Sequence, residues 1–102
     1  MVFIELTPFR RFITLSDEEL RQLQNDIMKN PDAGERLRGG RGLRKIRIPW
    51  SGHGKSGGAR VIYYLKISDA RCYLLLAYSK NVMDNLTPAQ LLELVQALLE
   101  ED

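Results

Sequence analysis

The sequence predicts an α+β protein with an antiparallel sheet, and three observations lead to that prediction. Apolar and β-branched runs of strand length occupy the middle of the chain, two capping boxes mark the starts of helices, and turn-forming residues separate these segments. The predicted order is β-α-α-β-β-β-α, with N-terminal helices and one C-terminal helix packed on the sheet. The 102 residues have the size of one domain, which we assign to positions 1-102.

The N-terminal part is predicted to form one strand and two helical segments. Val2 to Leu6 alternates weakly and contains β-branched and aromatic residues, which indicates a strand. Thr7 to Leu15 is predicted to be a brief helical segment that Pro8 helps to open. Ser16 to Glu19 is a capping box, and the helix that follows should end near Asn30, before Pro31. Its predicted apolar face consists of Leu20, Leu23, Ile27 and Met28.

Three strands and a final helix are predicted for the rest of the chain. Arg36 to Gly42 is a basic loop, and Leu43 to Ile48 alternates between basic and apolar residues, as a half-buried strand does. Ala59 to Ile67 and Arg71 to Tyr78 are the next predicted strands. Within them, Val61 to Ile67 and Cys72 to Tyr78 are apolar on both faces for much of their length, which predicts the centre of a covered sheet. Thr87 to Gln90 is a second capping box and opens a leucine-rich helix.

The composition excludes several classes of protein. Cys72 is the single cysteine, so an internal disulfide and a cysteine-based zinc site are excluded. No apolar run approaches the roughly 20 residues that span a membrane. The first dozen residues lack the layout of a signal peptide, so we expect a cytoplasmic protein with no membrane association. One histidine and no paired carboxylates in the basic region predict neither a metal site nor a cofactor.

Positive charge is concentrated in the middle of the chain, although the net charge is only +2. No acidic residue occurs between positions 36 and 60, and all eight glycines fall between Gly34 and Gly58. The basic residues of this region are Arg36, Arg38, Arg41, Arg44, Lys45, Arg47, Lys55 and Arg60. Such a distribution predicts an anionic partner for the middle of the protein.

Four of the cations are predicted to converge. Lys45 and Arg47 are two residues apart and therefore project from the same face of a strand. Arg60 opens the next strand, and Lys80 follows the last strand, at the same rim if the strands pair as hairpins. We expect no carboxylate among these four side chains. Two interpretations stay open from the residues alone: a solvated basic face, or a surface that binds and cleaves a phosphodiester.

The glycine-rich loop superficially resembles a phosphate-binding P-loop. That motif needs glycine where Pro49 stands and a helix where a strand is predicted from Ala59, so nucleotide hydrolysis is disfavoured. His53 in this loop is either a solvated side chain or a general acid–base group. Lys55 is expected to contact a nucleic-acid backbone.

Three segments together resemble the RelE/HigB toxins of bacterial type II toxin–antitoxin systems. These are Leu43 to Ile48, Gly57 to Tyr64 and Tyr73 to Asn81, and the segment from Asp84 to Leu91 is similar to the HigB branch. The resemblance implies a small RelE-like fold and a ribosome-dependent endoribonuclease, an mRNA interferase that cleaves translated mRNA in the A site and inhibits translation. It also implies a cognate antitoxin, commonly a small helix-turn-helix protein in this branch.

The resemblance places the catalytic residues of the family at Lys45, Arg47, Arg60 and Lys80, with Asn81 as the alternative to Lys80. The aromatic or histidine residue that the family has near its C-terminus has no counterpart in Val82 to Thr87, and Tyr78 is the nearest aromatic residue.

Cleavage without a metal ion requires attack by the neighbouring 2′-hydroxyl, and each cation has an expected role in it. Arg60 is expected to stabilise the charged transition state, with Arg47 as a second clamp or proton donor and Lys80 as a phosphate ligand. Because nearby cations favour a neutral amine, Lys45 is our candidate general base. Contacts with RNA and the ribosome are expected at Arg36, Arg38, Arg41, Arg44 and Lys55.

Three other functions fit the same sequence. The basic sheet of a non-cleaving nucleic-acid-binding module would grip RNA or DNA without cutting it. A gyrase-poisoning relative of the same superfamily would share the fold without the nuclease residues, and the presence of Lys45, Arg47 and Arg60 together argues against it. An inactive relative of the toxins is the third.

Overall fold

A computed structural model of the chain describes residues 1–50, 58–80 and 86–101. The strands in these residues are β1 (Val2–Glu5), β2 (Glu35–Arg36), β3 (Arg44–Ile48), β4 (Ala59–Lys66) and β5 (Arg71–Ser79). They form one sheet in the order β1-β5-β4-β3-β2. The helices are α1 (Asp17–Lys29) and α2 (Pro88–Glu101), and 3₁₀ turns cover Thr7–Arg10 and Ile67–Asp69. The predicted α+β class is confirmed.

The sheet is antiparallel except at one edge. β2 pairs with β3, β3 with β4, and β4 with β5, each time antiparallel. β1 instead runs parallel to β5, with Val2 opposite Arg71. Two features differ from the predicted order of elements. The segment from Thr7 is helical only as one 3₁₀ turn, and the predicted basic loop begins with the two-residue strand β2.

Both capping boxes form as predicted. Ser16 Oγ accepts a hydrogen bond from the Glu19 N–H at 3.1 Å, and Glu19 Oε1 accepts one from the Ser16 N–H at 2.8 Å. Thr87 and Gln90 make the same reciprocal pair at the start of α2. Each box satisfies amide groups that the first turn of a helix leaves without intrahelical partners.

β4 and β5 each have neighbouring strands on both sides. Both faces of the sheet carry apolar residues, and a helix packs on each face. On one face, Leu23 and Ile27 of α1 pack against a cluster that includes Ile46, Val61 and Leu74. On the other face, α2 packs with Leu94, Val95 and Leu98 against Ile62, Leu76 and Tyr78. Met28, which was predicted on the buried face of α1, is instead 48% exposed. In the part of the chain that the structure describes, no helix is long and apolar enough to span a bilayer.

Candidate RNA-cleavage site

Arg47 and Arg60 form the centre of the candidate site. They are directly opposite residues of the antiparallel β3–β4 pair, so their side chains leave the same face of the sheet, with Cβ atoms about 5 Å apart. Arg47 is exposed, whereas Arg60 is only 7% exposed and donates from Nη1 to the carbonyl oxygen of Ala59 at 3.3 Å. The structure therefore brings together two of the predicted catalytic residues.

Lys45 lies on the same face as this pair, one step along β3. Its register partner on β4 is Ile62, whose side chain belongs to the cluster under α2. Residues two apart on a strand share a face and lie about 7 Å apart. Lys45 therefore extends the basic surface from Arg47 toward β2, at the edge of the sheet.

Lys80 lies at the same end of the sheet as Arg47 and Arg60. It follows the last residue of β5, it is exposed, and its N–H donates to the carbonyl oxygen of Gly58 at 3.4 Å. This bond joins the exit of β5 to the entry of β4. Asn81, the alternative to Lys80, lies outside the described residues, as do His53 and Lys55.

A carboxylate stands beside the basic face, which corrects the expectation that none would. Glu35 on β2 is the register partner of Lys45, and its Oε1 lies 3.4 Å from Lys45 Nζ. Sequence reasoning missed Glu35 because the acid-free interval begins at Arg36, the next residue. One signal in the sequence could have found it: Glu35 immediately precedes the basic hairpin, and closing the hairpin makes it a cross-strand neighbour of a basic residue on the second strand.

The hydrogen bonds of Tyr63 fix the segment that leads into β2. The Tyr63 hydroxyl accepts from the Gly34 N–H at 3.0 Å and donates to the Pro31 carbonyl oxygen at 2.9 Å. Arg44 Nη1 donates to the Gly34 carbonyl oxygen at 2.8 Å. Burial raises the pKa of Tyr63, so its hydroxyl keeps its proton and its role as a donor at neutral pH.

Of the arginines predicted to contact RNA, three are exposed and one is held by contacts within the protein. Arg36, Arg38 and Arg41 are exposed on the β2–β3 hairpin. Arg44 is on the opposite face from Lys45, because adjacent residues of a strand alternate. There it also contacts Asp32, with Nη2 3.1 Å from Oδ1. The structure thus gives Arg44 a role in holding the loop before β2.

Arg38 lies closer to the candidate site than its place in the hairpin loop predicts. It lines a cavity of about 110 Å³ together with Lys45 and Tyr78, and with Leu37, Leu86 and Leu91 around them. Tyr78 is the register partner of Arg60 and is buried on the α2 side of the sheet. Tyr78, the aromatic residue nearest to the C-terminal position that the family resemblance implies, is therefore a core residue.

The hairpin loop that carries Arg38 and Arg41 has a constrained backbone. Gly39, Arg41 and Gly42 all have positive φ, and Arg41 adopts φ +51° although it has a side chain. The Leu37 N–H bonds to the Leu43 carbonyl oxygen at 2.9 Å, and this bond closes the loop. A left-handed conformation costs a non-glycine residue roughly 1 to 2 kcal/mol. The backbone of the loop is therefore held in one conformation at Arg41, whose side chain is exposed.

No group of three or more His, Cys, Asp and Glu side chains with metal-binding proximity occurs within residues 1–50, 58–80 and 86–101. The chemistry available from the described side chains is that of cations with the Glu35 carboxylate beside them. Guanidinium and ammonium groups bind phosphate oxygens and stabilise charge that develops on them.

The family of the chain follows from comparison with known proteins. Residues 5–99 match the family model described as the RelE toxin of the RelE/RelB toxin–antitoxin system. Because the match covers nearly the whole chain and the α+β fold agrees with it, this protein belongs to the RelE toxin family. It is accordingly a toxin of a toxin–antitoxin system with an antitoxin partner, in a family whose members are generally endoribonucleases that inhibit translation. The HigB branch stays a prediction.

Proposed function

We propose that this toxin is a ribosome-dependent endoribonuclease that cleaves mRNA in the A site. The observation that carries the proposal is the placement of Arg47 directly opposite Arg60 on one face of the sheet. Two guanidinium groups on one face, with Cβ atoms about 5 Å apart, can both donate to the oxygens of one phosphate. Membership of the RelE family supports RNA as the source of the phosphate.

The proposed reaction is metal-independent attack of the 2′-hydroxyl on the adjacent phosphate. Arg60 is held by its burial and its bond to Ala59, so its guanidinium is positioned before the substrate arrives. Arg47, exposed beside it, completes a clamp on the phosphate oxygens, and Lys80 adds charge from the end of β5. Lys45 places a further cation about 7 Å from Arg47 along the strand. No cofactor is required.

The exposed arginines of the hairpin are proposed to contact the ribosome and the message. Arg36, Arg38 and Arg41 are all open to a large partner. Arg38 shares a cavity with Lys45. Arg36 is instead the register partner of Arg44 and so leaves the opposite face of the sheet. Ribosomal RNA supplies the matching negative charge, and the ribosome holds the message in the cleavable geometry. We also propose a cytoplasmic location, and an antitoxin of the small helix-turn-helix kind that covers the basic face.

Mapping of mRNA ends in bacteria tests this function. The toxin is expressed in a brief pulse, and 5′ ends within translated reading frames are located by primer extension. Arg47→Ala serves as the inactive variant because Arg47 is exposed, whereas truncation of the buried Arg60 also removes packing. We expect new ends in wild-type cells and none with Arg47→Ala. Growth arrest with intact messages would contradict the proposal and indicate a non-cleaving or gyrase-directed toxin.

A further inference from the structure

Glu35 lies in the candidate site in a way that the charge pattern of the sequence does not predict. Its carboxylate is 3.4 Å from Lys45 Nζ, and 70% of its side chain is exposed, compared with 17% for Lys45. A pair between such groups contributes little to the stability of a fold. The register of β2 nevertheless places Glu35 directly opposite Lys45, and its exposure leaves the carboxylate open to a ligand.

The backbone before Glu35 is anchored more firmly than an exposed edge strand requires. Gly34, its neighbour, has its N–H bound by the buried Tyr63 hydroxyl and its carbonyl oxygen bound by Arg44. A methyl group on Gly34 would lie 2.8 Å from Tyr63 Cε1, so the backbone packs directly on the ring. These contacts hold the position of the Glu35 Cα, as the placement of a reactive group requires.

Glu35, Lys45 and Arg47 line one groove of about 440 Å³ at the edge of β3. The other charged side chains that line it are Asp26 and Lys29, both from the last turns of α1. β2 covers only Arg44 and Lys45 of β3, so the groove begins where the sheet edge is left uncovered. A nucleotide bound in this groove with its phosphate on Arg47 would therefore also border Glu35.

We propose that Glu35 is the general base of the reaction and takes the proton from the attacking 2′-hydroxyl. This inference rests on the proposed function and replaces Lys45 in that role. Lys45 Nζ lies 3.4 Å from the Glu35 carboxylate, so in this proposal Lys45 is the cation that holds Glu35 and attracts the phosphate. The assignment also accounts for a site without the C-terminal aromatic or histidine residue that the family resemblance implies.

In the proposed step, a Glu35 carboxylate oxygen accepts the 2′-hydroxyl proton as the 2′-oxygen forms a bond to phosphorus. The bond from phosphorus to the 5′-oxygen breaks, and that oxygen picks up a proton from solvent. The products are a 2′,3′-cyclic phosphate and a 5′-hydroxyl, and protonated Glu35 returns its proton to solvent. No oxidant, reductant or metal ion enters this balance.

Single-turnover cleavage on programmed ribosomes tests the assignment. Ribosomes carrying a short mRNA, a P-site tRNA and an empty A site are mixed with excess toxin. Glu35→Gln keeps an oxygen that can accept from Lys45 but removes the base, so we expect cleavage to slow by about 10² to 10⁴. Glu93→Gln is the matched control, since Glu93 is also 70% exposed and paired with a cation, Arg11, but lies on α2. We expect it to match wild type.

A second substrate distinguishes a base from a proton donor. A 5′-bridging sulfur at the scissile phosphate gives a leaving group that needs no proton, so it restores the rate of a variant that lacks its acid. Glu35→Gln should stay equally slow on this substrate. Restoration of its rate, or wild-type speed on the ordinary message, would overturn the role of Glu35 while leaving the nuclease function intact. No cleavage by wild-type toxin would overturn the proposed function itself.

Discussion

Arg47 and Arg60 face each other across the β3–β4 pair, one exposed and the other buried. The buried guanidinium is fixed by its surroundings and by the Ala59 carbonyl, whereas the exposed one is free to close on a ligand. Two cations at opposite positions of a sheet reduce the stability of the fold. A phosphate that both guanidinium groups contact would offset this cost, as the proposed function requires.

Arg47→Ala should separate activity from stability. Loss of one electrostatic stabiliser of the transition state lowers the rate by about 10² to 10³. Loss of one of two opposed cations should leave the free energy of unfolding unchanged or raise it by up to about 1 kcal/mol. Single-turnover cleavage on ribosomes and urea unfolding measure the two effects. Arg21→Ala, an exposed change on α1, is the control, and a destabilised Arg47→Ala protein would argue against repulsion between Arg47 and Arg60.

Ribosome binding should depend on salt through the exposed arginines of the hairpin. Each phosphate contact that is removed lowers the slope of log affinity against log salt by about 1. Arg36→Ala, Arg38→Ala and Arg41→Ala are each expected to show this loss. Arg44→Ala should instead destabilise the fold, because Arg44 binds Gly34 and Asp32. Filter binding at several salt concentrations, together with urea unfolding, distinguishes the two classes, and equal salt slopes in all four variants would contradict the division.

Gly34→Ala should weaken both the fold and the site. The added methyl would stand 2.8 Å from Tyr63 Cε1 and 2.9 Å from its hydroxyl, so the loop or the buried ring must shift. Overpacking of this kind costs about 1 to 3 kcal/mol. Tyr63→Phe keeps the ring but removes both hydrogen bonds, with a cost of the same order. Urea unfolding measures these losses against Tyr64→Phe, a half-buried neighbour. A Gly34→Ala protein as stable as wild type would show that the loop moves freely.

Alkaline pH should destabilise the protein through Cys72. Burial raises the pKa of this thiol from 9.0 to about 12. Between those values the unfolded chain releases the proton and the folded protein keeps it, so the free energy of unfolding falls as pH rises. The fall should be about 1 to 2 kcal/mol between pH 8 and pH 10, where tyrosine ionisation contributes least. Urea unfolding of wild type and Cys72→Ala measures it, and parallel pH profiles for the two proteins would refute the assignment.

The central strands and helix starts were predictable because their signals are local. Ser16 with Glu19 and Thr87 with Gln90 specify helix caps within four residues. Apolar residues such as Val61 and Leu74 indicate a buried strand whatever its neighbours in the sheet are. Long-range pairing is not encoded in this way. The parallel contact of Val2 with Arg71 and the short strand at Glu35 depend on how distant segments meet, and no periodicity within either segment specifies that.

For the candidate site, too, the sequence predicts the local relationships and not the long-range ones. The spacing of Lys45 and Arg47 specifies their shared face, and the hairpin specifies Arg60 beside them. The environment of each group was not predictable: Arg60 is buried, Arg44 faces the loop before β2, and Glu35 meets Lys45. The burial of Arg60 depends on the packing around β4 and β5, whereas the contacts of Arg44 and Glu35 depend on how β2 meets β3, next to the anchoring of Gly34 on Tyr63.

Cleavage of one message in two states tests the central claim most directly. Purified toxin is given the same short mRNA either free or in the A site of programmed ribosomes, with or without a single 2′-deoxynucleotide before the scissile phosphate. The account predicts rapid cleavage on the ribosome, little on free RNA, and none at the 2′-deoxy position, with a 2′,3′-cyclic phosphate product. Cleavage of the 2′-deoxy message, or equal cleavage of free and ribosome-bound RNA, would contradict it.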